Sequence, residues 1–108
     1  MIRNSIRPIP QLGAAQALVQ LLTEFPTLSP ASWSLDQCSG ALHGHVHDAE
    51  FDALTAYAEV LGGSVRPGGD YWFEGQMVRP HRLHATWRDV RVEVVVVLPA
   101  PVAVAVAA

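Results

Sequence analysis

The sequence predicts an α+β domain in which two helices lie on one face of a mainly antiparallel sheet of about four to six strands. Two segments carry apolar residues at helical spacing, several short runs alternate apolar with polar residues, and the runs come in hairpin-like pairs. Helices segregated from paired strands imply helices on one side of an antiparallel sheet, in the order α-β-β-α-β-(β)-β-β. The 108 residues fit a single domain spanning 1–108.

Residues 1–10 read as an irregular arm, because Pro8 and Pro10 oppose helix there. From Gln11, the residues Leu12, Ala15, Leu18, Val19, Leu22 and Phe25 form a helical stripe expected to face the core, and Pro26 ends it. Trp33 and Leu35 alternate with serines in a short strand. The turn Asp36–Gly40 leads to a second run, with Leu42, Gly44 and Val46 on one face and His43, His45 and His47 on the other. Asp48 is the expected N-cap of a helix over about 49–61, with Phe51, Leu54, Ala58 and Leu61 as its stripe and Gly62-Gly63 as its end.

A short strand is expected at 64–66, a turn at Pro67–Asp70 and a further strand from Tyr71, with a loop over Gln76–Pro80. The chain then reads as a hairpin of about 81–87 and 90–98, turning at Arg88-Asp89 without the favoured glycine. Leu83, Ala85, Trp87 and Val90, Val92, Val94, Val96 are the inward residues. Val95 and Val97 make the end of the last strand apolar on both faces, so a partner or the tail is expected to cover them. The tail 99–108 is an uncharged Val/Ala alternation.

Half of the residues are apolar, 16% are charged, all seven basic side chains are Arg, and the net charge is −3. That excludes a wholly disordered chain and argues against bulk electrostatic binding of nucleic acid. One Cys excludes a disulfide framework or Cys-rich zinc module. No window is long and apolar enough to span a bilayer, and Gln11, Gln16 and Gln20 interrupt the stretch that a signal peptide would need. A cytoplasmic protein is expected.

Three surfaces are candidates for function. Val95, Val97, Val102, Val104 and Val106 form an apolar interface for self-association or a larger protein assembly. Arg79, Arg82, His84, Arg88 and Arg91, with Tyr71, Trp72 or Phe73 nearby, form a basic face suited to single-stranded nucleic acid, because 79–91 carries four Arg against one Asp. His43, His45, His47, His81 and His84 are candidate zinc ligands, although His43 and His47 are too far apart on a strand to share one ion. No G-x-S-x-G elbow or P-loop is present, so no catalytic residue and no resident cofactor is assigned.

From Leu42 to Val96 the chain combines an alternating strand, a helix ending AEVLGG, a Pro/Gly turn with aromatics and a closing TWRDVRVEV hairpin. In this it resembles small α+β proteins of accessory regions (plasmids, prophages, conjugative elements) in high-GC Gram-positive bacteria. The resemblance covers about half the chain. It implies a fold and a mobile-element or virion setting, and no activity. The sequence therefore points to a non-enzymatic interaction or assembly module, with nucleic-acid binding and metal binding as alternatives.

Overall fold

The computed structural model describes residues 9–101. The chain runs α1 (Pro10–Glu24), β1 (Ala31–Leu35), β2 (Leu42–Val46), α2 (Phe51–Leu61), β3 (Ser64–Pro67), β4 (Tyr71–Phe73), β5 (Gln76–Trp87) and β6 (Val90–Pro99). The six strands form one sheet in the order β1-β2-β6-β5-β3, with β4 also paired to β5. Expectation and structure differ over strand direction. The sheet is mixed, because β2 lies parallel to β6 in the register Leu42↔Val92 to His45↔Val95. β5 occupies the other edge of β6 through ten antiparallel pairs. The β1–β2 hairpin therefore has only the free edge of β6 to dock on, and α2 with β3–β5 provides the long crossover that a parallel pair requires.

Both helices pack on the face presented by Leu42, Val46, Leu83, Ala85, Val92, Val94 and Val96, and they bury Ala14, Ala17, Leu21, Leu54, Tyr57 and Leu61 against it. The phase of α1 corrects the expected stripe. Leu12, Val19 and Leu22 are exposed, and the sheet-facing residues are Ala14, Ala17 and Leu21. Two alanines bring the helix backbone close to the sheet, and Leu21 fills the remaining depth.

Pro10 is also reassigned. It is the first helical residue, where a missing N–H costs nothing. α2 begins at Phe51, not 49, and Asp48 does not cap it. Glu50 holds the N-cap position without a side-chain bond. Within α2, Ala53 and Tyr57 join Leu54 and Leu61 in the core, while Phe51 is exposed.

The segment 76–80 is strand, not loop. A two-residue turn at Glu74 (φ 46°) and Gly75 (φ 82°) folds β4 back onto β5. Pro80 is tolerated inside β5 because it faces the gap between β3 and β4, where its carbonyl accepts from Gly68 N–H (2.7 Å). The Asp36 turn forms as expected: Asp36 Oδ1 accepts the backbone N–H groups of Cys38 (2.7 Å) and Ser39 (2.9 Å).

The β5–β6 turn places Arg88 (φ 50°) and Asp89 (φ 64°) in the left-handed region without glycine. Contacts with α1 hold this turn. The Arg88 guanidinium donates to both Glu24 carboxylate oxygens (2.5 and 2.7 Å) and to Gln20 Oε1 (2.7 Å), and it lies 4.2 Å above the Trp87 ring. Phe25 meets Trp87 edge-on. The strained turn and the end of α1 thereby hold one another.

At the other end of the core, Trp33 lies over its cross-strand partner Gly44 and meets Tyr57 edge-on. The Tyr57 hydroxyl donates to Ser29 O (2.5 Å), fixing the segment before β1. A methyl group at 44 would sit 2.6–2.8 Å from the Trp33 ring. We expect Gly44→Ala to cost about 1–3 kcal/mol by displacing Trp33. Urea unfolding followed by Trp fluorescence checks this, and an unchanged midpoint would contradict the packing.

Candidate functional site

The helices leave the second face of the sheet uncovered, and strand parity decides what appears there. Residues pointing away from the core fall into rows that cross five strands. One row is Ser34, His43, Glu93, His84 and Ser64. The next is Ser32, His45, Val95, Arg82 and Arg66. Beyond these, Arg91 stands opposite Thr86 at one end, and Val97 stands opposite Pro80 at the other.

In the first row Glu93 sits between two imidazoles, with His43 Nδ1 3.4 Å and His84 Nδ1 3.5 Å from its separate carboxylate oxygens. In the second row Arg66 and Arg82 are direct cross-strand neighbours, a like-charge opposition that disfavours the pairing by itself. Neither has an ion-pair partner among the described residues. Val95, Val97 and Pro80 floor a shallow depression of about 270 Å³ between these groups, with Tyr71 and Arg82 on one side and His43, His45 and two serines on the other. Val95 and Val97 are half-buried within this face.

The basic segment 79–91 does not lie on one face. Arg82, His84 and Arg91 point to the open side. Arg79 points to the helix side, where its Nε donates to Asp70 (2.6 Å) and its Nη2 also donates to that carboxylate (3.0 Å). Arg88 lies in the turn and is held by Glu24. Trp72 pairs with Met77 on the helix side, while Tyr71 and Phe73 take the open side and meet edge-on. Arg66, Tyr71, His43 and His45 join the face instead. Only the pairing register reveals this, because β3 and β2 reach it from opposite ends of the sheet.

The histidines divide in the same way. His43, His45 and His84 share the open face. His81 is on the helix side, edge-on to Phe51 (5.4 Å). His47 stacks beside His45 (5.7 Å) and hydrogen-bonds Ser32 Oγ (2.6 Å). The five therefore do not converge, and no group of three or more His, Cys, Asp or Glu is placed to hold a metal ion among the described residues. Val102, Val104 and Val106 lie outside the described residues. Among the described residues no helix is long and apolar enough to cross a membrane. No family model, curated protein or solved structure matches this chain.

The ion pairs that withdraw Arg79 and Arg88 from the face have a pH signature. Hydrogen bonds from Arg79 and Arg88 hold the Asp70 and Glu24 carboxyls below their ordinary range, as the Ser39 and Cys38 backbone N–H groups do for Asp36. Acids that are stronger folded than unfolded stabilise the fold at and above neutral pH, and the contribution fades as pH falls through their lowered folded values. We expect thermal stability to be flat above about pH 5 and to fall below about pH 4. Glu24→Gln should melt lower than wild type at pH 7, with the difference gone by about pH 2.5. A difference that persists at low pH would contradict the charge origin.

Proposed function

We propose that the protein is a non-enzymatic interaction module that self-associates, and that α1 supplies the interface with a second copy. The observation that carries this reading is a helix apolar on two opposite faces. Ala14, Ala17 and Leu21 meet the sheet, while Leu12, Val19 and Leu22 stand 53–64% exposed on the other side. With Ala15 they form a seam at 12, 15, 19 and 22, the 3-4-3 spacing by which helices pair. A helix buries one apolar stripe against its own core, and a second stripe on the opposite side calls for a second partner. Pro10 to Thr23 carries no charge, so two copies of the seam meet without repulsion. At 15 residues the helix offers about 22 Å of contact length.

Val95 and Val97 suit a homotypic contact less well. Packing this face on itself would bring Arg66, Arg82 and Arg91 of the two copies together. The uncharged segment 102–108 is a second contributor proposed from sequence alone. Resemblance to accessory-region proteins gives the reading a setting, as a cytoplasmic or virion subunit of a mobile-element assembly.

Light scattering tests the proposal. Wild type should run at twice the chain mass at micromolar concentration. Leu12→Glu with Val19→Glu should run at the single-chain mass with unchanged circular dichroism, because both side chains are already exposed. A wild-type protein at the single-chain mass across concentrations, or a double variant that keeps the doubled mass, would refute α1 pairing. Truncation after Ala100 separates the two contributors: a retained dimer assigns the contact to α1, and a lost one assigns it to the tail.

A further inference from the structure

We propose that the helix-free sheet face binds single-stranded nucleic acid, a function separate from pairing through α1. The charge balance of that face carries the argument. Three arginines (Arg66, Arg82, Arg91) and three histidines (His43, His45, His84) share it with Glu93, the one carboxylate within its strand rows, while Asp36 adds a second carboxylate at the edge beside His43. Glu93 stands between His43 and His84 and forms no ion pair with any of the three arginines among the described residues. Among the described residues, a chain of net charge −3 thus gathers the arginines without ion-pair partners on one surface, while Arg79 and Arg88 form ion pairs elsewhere.

The juxtaposition of Arg66 with Arg82 is the most informative element. Like charges directly opposed across strands cost stability, and an anion bound between them removes that cost. Gly68 packs tightly beside them: a Cβ there would sit 2.9 Å from Arg82 Nη1 and 2.8 Å from Pro80 Cγ, so the lack of a side chain at 68 lets the Arg82 guanidinium take its place on the face. A phosphate chain running along the row from Arg66 across Arg82 places its bases over the apolar floor of Val95, Val97 and Pro80, beside the exposed ring of Tyr71. Flat bases on an apolar and aromatic surface with phosphates on arginines is the recognition chemistry of unpaired strands, because a duplex hides its base faces. Serine hydroxyls at Ser32 and Ser34 line the far wall and supply hydrogen bonds to base edges or sugar.

Fluorescence anisotropy with labelled 20-mers of dT and U, the matching DNA duplex and a polyglutamate peptide tests the assignment on the full chain. We expect both single strands to bind in 50 mM salt more tightly than the duplex, with log K falling against log salt at a slope near −2 for three phosphate contacts. Arg66→Ala with Arg82→Ala should reduce the slope to about −0.7, and Tyr71→Ala should weaken binding about five-fold or more. Arg79→Ala, on the other face, should leave binding unchanged. A thermal melt of each variant confirms that it is folded. Absence of binding to either single strand at low salt overturns the proposal. So does an equal affinity for polyglutamate or duplex, or a slope unmoved in a folded Arg66/Arg82 double variant. The Leu12/Val19 variant should still bind with the same slope per chain, which keeps this outcome separable from that of α1 pairing.

Discussion

The sheet depends on β6 being paired along both edges at once. β5 holds one edge by ten antiparallel pairs and β2 holds the other by four parallel ones. Removing β6 would leave two unconnected pieces, the β1–β2 hairpin and the β3–β4–β5 ladder. Each piece would have one apolar face and nothing opposite it. The valines at 90, 92, 94 and 96 serve this role, since β-branched side chains suit a pleated surface and these four run down the centre of the core. Both helices then find a common floor, and the uncovered face acquires its rows of polar groups from the same pairing.

Much of this was legible in the residues. Alternation placed Leu42, Val46, Leu83, Ala85 and the even-numbered valines inward, and the side-chain period of two made that assignment firm. Glycines ended α2, and an Asx turn joined β1 to β2. The phase of α1 was not legible, because the helix carries two apolar stripes and the larger residues suggested the wrong one. Close approach to a sheet favours small side chains, and Ala14 and Ala17 won over Leu12 and Val19 for that reason. The parallel pairing was hidden as well. Neighbouring runs read naturally as hairpins, and nothing local to β2 or β6 announces that they meet across some fifty residues of chain.

The candidate face was partly visible. His43, His45, Arg82, His84 and Arg91 were identified by parity within single strands. Arg66 was missed, since its place on the face follows from cross-strand register, the choice among Tyr71, Trp72 and Phe73 was left open for the same reason, and Arg79 and Arg88 were included because local charge does not reveal an ion pair. Asp70 and Glu24 decide the fate of those two arginines, Asp70 from the neighbouring turn nine residues before Arg79 and Glu24 from the end of α1, 64 residues before Arg88.

The lateness of β6 in the chain also governs how the protein comes into being. As synthesis proceeds, β1 and β2 emerge about fifty residues before the strand that β2 must pair with. For that interval the nascent chain presents an unsatisfied strand edge and the apolar side chains of Leu42 and Val46 to its surroundings. Contacts this distant in sequence slow folding, since the loop must close before any of them forms. The histidines and serines that alternate on the outer side of the hairpin make that surface polar whether or not β6 is in place. They keep one surface of an incomplete sheet wet until the last strand arrives.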